Sequence, residues 1–456
     1  MQYPNGIRIG LVEAGTPATH VYSGTYLPRL GIPTLGAILK KQGYDCDLWF
    51  QSMKGFQEKN LGKYSIVGIG SLSPQIHEAY RLADLLRAGG VTVVLGGPHT
   101  TFMPEEALEH CDYVVRGEGE VSFPALVRAL LEKGEPEGIP GLAYRDSNGR
   151  VHLTESSAGS VDFAALPSPD FSLSPQIVGS GKVPAIISTS RGCPHNCPFC
   201  TVTAVFGRQY RFKSNEQVIS ELRPIQGRSV CFADDNFCAK PSRTKSLLRE
   251  MIARDAVPLR WSGQMTVGAA ADPELVDLMK QTRCRIVYIG IESIIPETLK
   301  SFNKPHKLEA IAECVESLHQ AGIGIHGMFV LGVDDDVGVV ERIIDYSIEH
   351  DLDTIQLCAL TPFPGTAAFE QYRDRLLHRD WQYFTGMYVV FQPHKCSAYD
   401  LQLAMIWGMK RFYSVKRVLN SYRPGRGWRI KYRAGAHYIV RKWIKENFSY
   451  LNRLKV

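Results

Sequence analysis

The first third of the chain alternates between two patterns of hydrophobic and polar positions. Short apolar runs, most of them with β-branched residues, predict buried strands, and between them apolar residues recur every three or four positions, as in amphipathic helices. Strands are predicted at 7–14, 44–50, 64–71, 91–97 and 111–119, and helices at 33–42, 75–88 and 121–131. Strands that alternate with helices in this way predict an α/β fold with an open, doubly wound parallel sheet.

The carboxyl ends of these predicted strands are rich in glycine and hydroxyl residues. They carry GSLSP at 70–74, GGPHTT at 96–101 and RGEGE at 116–120. Ligands of doubly wound sheets bind beyond the carboxyl ends of the strands, so we expect a cofactor with a phosphate-bearing tail at this edge.

A second alternation of strands and helices begins near residue 185. Strands are predicted at 185–190, 229–235, 260–265, 285–293, 324–332 and 354–362, and helices at 242–254, 273–281, 308–322 and 337–350. Six strand-helix units predict a partial, open form of the eight-fold barrel, with its active face at the carboxyl ends of the strands. The intervening residues 141–184 are predicted to be a connector with a hairpin turn at 147–149 and a stretch rich in proline and serine.

Polar residues stand where the predicted barrel strands end. Asp234, Asp235 and Asn236 follow the second strand, Gln264 lies near the end of the third, and Glu292 and Ser293 end the fourth. A carboxylate such as Glu292 in an apolar strand is costly without a partner, which either a cofactor or a structural ion pair would supply. One of the two aspartates has an alternative role as the cap of the next helix.

The first barrel strand leads into the stretch RGCPHNCPFC at 191–200, which contains Cys193, Cys197 and Cys200. Two interposed prolines prevent a regular helix, so the stretch is predicted to be a loop. A structural zinc site needs four ligands, usually as two pairs, and the chain has no second Cys-x-x-Cys pair. A cubane iron-sulfur cluster bound by three cysteines leaves one iron open, which favours a cluster, while zinc or a buried cysteine group remains the alternative.

The Cys-x3-Cys-x2-Cys spacing, the aromatic residue before the last cysteine and the preceding STSRGCP resemble the radical S-adenosylmethionine (SAM) superfamily. The resemblance implies that Cys193, Cys197 and Cys200 bind a 4Fe-4S cluster. It also implies a partial barrel of six units in which SAM is cleaved to a 5'-deoxyadenosyl radical. The residues expected to bind SAM are Phe199 against the adenine, Asp234, Gln264 and Glu292.

GGPHTT followed by VVRGEGE, ahead of such a cysteine loop, resembles the Rossmann-like cobalamin-binding domain of many radical SAM enzymes. The resemblance implies cobalamin contacts from Ser71, Ser73, Gly96, Gly97, His99, Gly117 and Glu118. The Asp-x-His-x-x-Gly motif that supplies a lower axial histidine elsewhere is absent from the chain. The identity of the lower axial ligand of the cobalt is therefore open, with His99 as a candidate. The alternative for the whole domain is a cobalamin-binding fold that no longer binds its cofactor.

Composition is typical of a large cytoplasmic enzyme. The chain has 456 residues, 44% of them hydrophobic, with eleven scattered cysteines and no N-terminal signal pattern. No apolar run approaches the roughly twenty residues that span a bilayer. The remaining cysteines have no compact spacing that would indicate a second metal site. We therefore expect them to be small buried apolar side chains, with ligation of an auxiliary cluster as the alternative. They are the cysteines at 46, 111, 231, 238, 284, 314, 358 and 396.

The formal net charge of +6 is unevenly distributed. Residues 410–456 contain fourteen lysines and arginines against Glu446, so this basic tail carries +13 and residues 1–409 carry −7. The tail is predicted to pack over the acidic remainder of the chain. The alternatives are contact with an anionic membrane surface or lipid substrate, and, last, nucleic acid, for which no RNA-binding motif is present.

The resemblances together imply an enzyme that methylates an unactivated carbon of a small molecule or lipid. An external electron donor such as flavodoxin or ferredoxin is expected. Binding to nucleic acid is not expected. The alternatives are radical coupling, cyclisation or rearrangement without methyl transfer, a cobalamin-free relative, and a cofactor-binding sensor. The expected domains are a cobalamin-binding domain at 1–140, a hairpin and linker at 141–184, the barrel at 185–365, and a mainly helical C-terminal region at 366–456.

Overall fold

The computed structural model describes residues 8–15, 27–132, 134–156, 161–304, 306–421 and 427–455. Its first sheet has seven strands in the order β2-β1-β3-β4-β5-β6-β7. The strands are β1 (Arg8–Glu13), β2 (Asp45–Phe50), β3 (Ile66–Gly70), β4 (Thr92–Gly96), β5 (Tyr113–Val115), β6 (Leu142–Arg145) and β7 (Val151–Leu153). The helices of this region are α1 (Gly31–Lys41), α2 (Ile76–Ala88), α3 (Pro98–Phe102), α4 (Pro104–Ala107) and α5 (Gly119–Glu132).

The doubly wound parallel sheet is confirmed, with one extension. Strands β1 to β5 pair in parallel, as the alternation of strands and helices predicts. The hairpin predicted in the connector adds β6 and β7 to the edge of this sheet as antiparallel strands. The added strands satisfy the outer backbone groups of β5, which would otherwise form an open edge.

The second sheet has six parallel strands in the order β15-β14-β13-β12-β11-β8, which confirms the partial barrel. Its strands are β8 (Ile186–Ile187), β11 (Ser229–Phe232), β12 (Arg260–Met265), β13 (Cys284–Glu292), β14 (Gly324–Leu331) and β15 (Thr354–Ala359). Short strands β9 (Ser190–Arg191) and β10 (Arg211–Phe212) form a separate antiparallel ribbon. The first predicted barrel strand is thus broken after Ile187, and its second half turns away into the ribbon.

The helices beyond the first sheet alternate with the barrel strands and then form the C-terminal region. They are α6 (Pro175–Ser180), α7 (Thr201–Phe206), α8 (Asn215–Leu222), α9 (Pro241–Ala253), α10 (Pro273–Gln281), α11 (Pro296–Ser301), α12 (Leu308–Gln320), α13 (Val337–Glu349), α14 (Ala367–Tyr372), α15 (Ala398–Phe412), α16 (Val415–Leu419) and α17 (Trp428–Arg453). Burial along β14 shows how the sheet is layered, because Ile325, Phe329 and Leu331 are fully buried while His326 and Met328 between them are partly exposed. One face of the strand therefore packs into the core and the other lines the interior of the partial barrel.

The basic tail packs against the barrel, as the sequence predicts. In α17, the guanidinium of Arg429 lies 3.0 Å from the carboxylate of Asp351 and also forms an ion pair with Asp353. The side chains of Arg429 and Asp353 are each only 1% exposed. Arg433 donates to the backbone oxygens of Leu352 and Asp353 at 2.8 Å. The turn before β15 is therefore bound by two arginines from the tail. Tyr422 to Arg426 lie outside the described residues.

The tail also covers the amino end of the barrel. The ring of Trp428 lies so close to Gly324, the first residue of β14, that a Cβ there would be 2.2 Å from it. Glycine is therefore required by the close approach of the two elements. Among the described residues, no helix has both the length and the hydropathy of a membrane-spanning segment.

Replacing Arg429 with methionine is expected to lower the free energy of unfolding by about 3–5 kcal/mol, because buried Asp353 loses a compensating charge. The matched control is Arg411→Met, which breaks an exposed ion pair with Asp345 and is expected to cost less than about 1 kcal/mol. Urea denaturation of both variants measures the difference. Equal losses of stability would contradict a structural role for the buried pair.

Candidate cofactor and active site

The cysteine loop connects β9 to α7 and is fixed from several sides. Gly192 has a φ of +84°, and a Cβ at this position would lie 2.3 Å from the carbonyl oxygen of Gln209, so only glycine fits. The side-chain amide of Asn303 donates to the Asn196 oxygen at 2.8 Å. The Ala368 amide donates to the Pro198 oxygen at 2.9 Å. Segments from three parts of the chain therefore determine the shape of the loop.

Cys193, Cys197 and Cys200 are all free and half-buried in this loop. Burial raises the pKa of all three thiols, that of Cys200 to about 11. Within the described residues, no three histidine, cysteine or acidic side chains converge on a single metal ion. The thiols of an iron-sulfur cluster bind different irons and need not converge in that way, so the donor set fits a cluster.

Asp234, predicted to bind SAM, anchors the segment that precedes the loop. Its buried carboxylate accepts hydrogen bonds from the Thr189 amide at 3.1 Å, from the Thr189 hydroxyl at 2.9 Å and from the Ser190 hydroxyl. Arg243 donates to the same Thr189 hydroxyl at 2.8 Å. These donors occupy the carboxylate. A direct contact of Asp234 with SAM stays a prediction.

The next two residues leave polar groups beside the cysteines. Burial, together with the charge of Asp234, raises the pKa of Asp235 to about 6. The side-chain amide of Asn236 is buried, and neither of its polar atoms has a hydrogen-bond partner of normal geometry within the described residues. It lies close enough to Cys193 to lower the pKa of that thiol. A buried amide without partners fits a polar ligand bound beside the cluster.

Glu292 lies at the end of β13 and has the ion-pair partner that its burial requires. Lys304 places its Nζ 2.9 Å from Glu292 Oε1, and both side chains are largely buried. Glu292 adopts a φ of +66°, a strained conformation for a residue other than glycine. Glu292 therefore has a structural partner in Lys304. Because the pair lies beside Cys197, this does not exclude the predicted contact of Glu292 with SAM.

Lys304 is the functional candidate that the sequence patterns miss. Burial alone lowers its pKa, but the charges of Glu292 and of the neighbouring thiols raise it, so the ammonium stays charged. Its charge and hydrogen bond in turn lower the pKa of Cys197, although burial dominates and raises it overall. The motif FNKPHK carries no periodic signal that would mark this lysine. Only the chain fold brings it to the cysteines.

The other two SAM candidates lie on the same face of the barrel. Phe199 is half-buried and packs edge-to-face against Phe302, with ring centroids 5.0 Å apart. Gln264 stands at the end of β12 with an exposed side chain, and its backbone oxygen accepts from the Phe237 amide at 2.8 Å. Contact of either side chain with SAM stays a prediction.

The glycine-rich loops of the first sheet meet at one edge. Gly97 has a φ of +112°, and a Cβ there would be 2.2 Å from the Ser71 oxygen. The amide of Gly117 donates to the Thr101 hydroxyl at 2.9 Å, and this hydroxyl donates to the Gly97 oxygen at 2.8 Å. Ser71 Oγ is buried without a hydrogen-bond partner in the described part of the chain. This polar atom at the strand edge, beside Gly96, fits a bound polar cofactor.

His99, the candidate axial ligand, is enclosed in a hydrogen-bonded chain. Its Nδ1 lies 2.9 Å from the Ser73 hydroxyl and its Nε2 lies 3.2 Å from Glu106 Oε1, while Tyr80 donates to the same oxygen at 3.0 Å. Its ring is buried and packs edge-to-face against Trp381 at 4.9 Å. Both ring nitrogens are engaged, so in this structure His99 offers no nitrogen to cobalt.

Glu118 is also occupied by protein partners. Its carboxylate receives Arg191 Nη1 at 2.7 Å and two nitrogens of Arg211 at 2.8 and 3.0 Å. Contact of Glu118 with cobalamin stays a prediction. The side chain instead joins the first sheet to the ribbon that leads into the cysteine loop.

Comparison with known proteins matches residues 187–345 to the Radical SAM superfamily and residues 19–127 to the B12 binding domain. The chain is 31% identical to bacteriochlorophyllide d C-12(1)-methyltransferase of Chlorobaculum tepidum, over 74% of this chain and 72% of that one. It is also 31% identical to an uncharacterized methyltransferase of Pyrococcus horikoshii, over 87% and 90% of the two chains. The fold is similar to that of the radical SAM methyltransferase TsrM from Kitasatospora setae, with a TM-score of 0.66 and 18% identity over 82% and 78% of the chains.

Replacing Lys304 with methionine is expected to slow alkylation of Cys197 by iodoacetamide in the metal-free protein. The ammonium lowers the pKa of this thiol, so its removal raises the pKa and reduces the thiolate fraction at any pH below that value. Lys300→Met, an exposed lysine on α11, is the control. Peptide mass spectrometry measures the rate, and equal rates in the two variants would show that Lys304 does not influence the loop.

Proposed function

This chain belongs to the family of radical SAM methyltransferases that carry a B12 binding domain, and on that premise we propose that it methylates an unactivated carbon of a small molecule or lipid. The proposal rests above all on the junction between the two sheets. Cys193, the first of the three cysteines, lies two residues after Arg191, and Arg191 contacts Glu118 in a glycine-rich loop of the B12 binding domain. The cysteine loop therefore lies next to a glycine-rich loop of the B12 binding domain, which brings the two expected cofactor sites close together.

The cofactors of this family are a 4Fe-4S cluster, SAM and cobalamin. We propose that Cys193, Cys197 and Cys200 bind the cluster, and that Asn236 and Lys304 face the polar end of SAM. Cobalamin would lie against the loops that contain Ser71, Gly97 and Gly117. When bound, these groups supply hydrogen-atom abstraction from carbon and a transferable methyl group.

The chain's own residues position these groups and neutralise charge. Lys304 is kept protonated by Glu292 and presents a buried positive charge to the thiolate side of the site. The Asp234 carboxylate fixes Thr189 and Ser190, from which the loop extends. We propose that an external donor such as flavodoxin or ferredoxin delivers the electron. The names of both sequence relatives favour methyl transfer over coupling, cyclisation or rearrangement.

Reconstituted protein with hydroxocobalamin, a low-potential reductant and methyl-labelled SAM is expected to move the label into a compound of an anaerobic metabolite or lipid extract. Mass spectrometry of the extract measures the transfer. Iron analysis is expected to give about four irons per chain, and about eight would indicate an auxiliary cluster. Formation of 5'-deoxyadenosine with all of the label retained in methionine would support the non-methylating alternative.

The variant Cys197→Ala is expected to lose 5'-deoxyadenosine formation while it still binds hydroxocobalamin. Cys396→Ala, a half-buried cysteine outside the loop, is the matched control and is expected to keep both properties. Wild-type protein that carries an intact cluster and forms no 5'-deoxyadenosine would favour a sensor over an enzyme.

We further propose a cytoplasmic enzyme that contacts anionic membranes through the outer face of the tail. Tyr438 on α17 is 72% exposed, and the neighbouring α16 exposes Leu419 to 69%. The exposed positions of α17 also include Lys431, Arg441, Lys442 and Lys445. A helix face with this composition is suited to bind at the lipid headgroup region, where its aromatic rings insert and its cations lie near the phosphates.

Co-sedimentation with phosphatidylglycerol vesicles is expected at low salt and is expected to weaken at high salt. The substitution Lys442→Gln should reduce binding about fivefold, because one cation near such a surface contributes about 1 kcal/mol. Lys54→Gln, an exposed lysine of the first domain, is the control. Absence of binding at low salt, or equal effects of the two substitutions, would contradict membrane contact.

A further inference from the structure

Two arginines and two glutamates form a buried group of charges between the B12 binding domain and the barrel. Glu118 is bonded to Arg191 at 2.7 Å and to Arg211 at 2.8 and 3.0 Å. The second guanidinium nitrogen of Arg191 donates to Glu120 at 2.6 Å. The Glu118 side chain is fully buried, and each arginine side chain is 15% exposed. We call these four residues the charge clamp.

The backbone forces the two arginines together. Arg191 and Arg211 are directly opposite each other in the antiparallel ribbon of β9 and β10. Two buried guanidinium groups in such positions repel one another unless carboxylates lie between them. Glu118 and Glu120 supply two negative charges for the two positive ones, so the ribbon depends on the B12 binding domain for its neutralisation.

On the B12 side, the clamp is connected to two of the glycine-rich loops. Glu118 directly follows Gly117, whose amide is bonded to Thr101 at 2.9 Å. Thr101 in turn donates to the Gly97 oxygen at 2.8 Å. A displacement of Glu118 would therefore disturb the segments that begin after β4 and β5, where cobalamin is expected.

On the barrel side, the clamp includes the residue that precedes the cysteine loop and contacts the helix that follows the loop. Arg191 is two residues before Cys193. Gly192 lies between them, and a side chain at this position would clash with the Gln209 carbonyl oxygen. The guanidinium of Arg191 also lies over the ring of Phe206, 5.3 Å from its centroid. Phe206 ends α7, the helix that begins directly after Cys200. Arg191 therefore directly precedes the loop and also contacts the far end of the helix that follows it.

We propose that Glu118 and Arg191 are positioning residues that couple the two cofactor sites, so that a cluster bound in the cysteine loop increases the affinity of the B12 binding domain for cobalamin. A bound cluster fixes the loop, the fixed loop fixes Arg191, and Arg191 fixes the Glu118 loop in its binding conformation. Linkage requires that cobalamin stabilises the cluster site by the same factor. The inference rests on the proposed use of both cofactors by this chain.

The test compares the dissociation constant of hydroxocobalamin for protein with a reconstituted cluster and for cluster-free protein, under anaerobic conditions. In the wild type we expect tighter binding with the cluster, by a factor of about 5 or more, as is usual for coupled sites. Glu118→Gln should bring this ratio close to one. Arg87→Gln, which breaks a partly exposed ion pair with Asp112 elsewhere in the same domain, should leave it unchanged.

The outcomes separate the coupling from the proposed function. A wild-type ratio near one, or an unchanged ratio in Glu118→Gln, overturns the coupling and leaves methyl transfer intact. Failure of the wild type to bind hydroxocobalamin in either form overturns both. If Glu118→Gln does not fold, Glu120→Gln removes only the second partner of Arg191 and should give an intermediate ratio.

Hydrogen exchange of the cobalamin-free, cluster-free protein provides a readout that a local structural defect would not reproduce. In Arg191→Lys, which keeps the charge but loses the two-pronged contact, faster exchange is expected in both 116–120 and 192–206. Faster exchange confined to the substituted ribbon would overturn the coupling.

Discussion

The buried carboxylate of Asp234 determines where the cysteine loop begins. It binds the amide and hydroxyl of Thr189 and the hydroxyl of Ser190, and these bonds pull the chain out of the barrel sheet after Ile187. The chain then enters the ribbon, which turns it back into the loop. Without this carboxylate the strand could continue straight, and the three thiols would lose their position above the strand ends.

Buried ion pairs stand at the other boundaries of the site. Glu292 and Lys304 pair within the barrel, Glu118 and Arg191 pair between the domains, and Arg429 pairs with Asp353 at the barrel's amino end. Burying charges in pairs adds little net stability but penalises any arrangement that separates the partners. These pairs therefore specify one relative placement of the cysteine loop, the B12 binding domain and the tail.

The parts of the fold that follow a local period could be predicted from the sequence. Strands β1 to β5 and β11 to β15 lie where short, largely apolar runs predict them, and the cysteine spacing is a local signal. The break after Ile187 and the role of Lys304 could not be predicted, because each depends on a side chain that only the folded chain brings near. The motif that contains Glu118 could be recognised because it is local. Its ion pairs with Arg191 and Arg211 could not be predicted, because these arginines follow much later in the sequence.

The contact of α17 with the barrel affects the order in which a growing chain can complete its structure. Asp353 lacks its arginine partner until residue 429 has been made, and Gly324 lacks the covering ring of Trp428. A ribosome-bound chain that has just completed β15 therefore holds a barrel whose amino end is still uncovered and whose Asp353 still lacks its guanidinium partner. The barrel that carries the cysteine loop is thus completed only once the tail has been made, although the cysteines precede the tail by more than two hundred positions in the sequence.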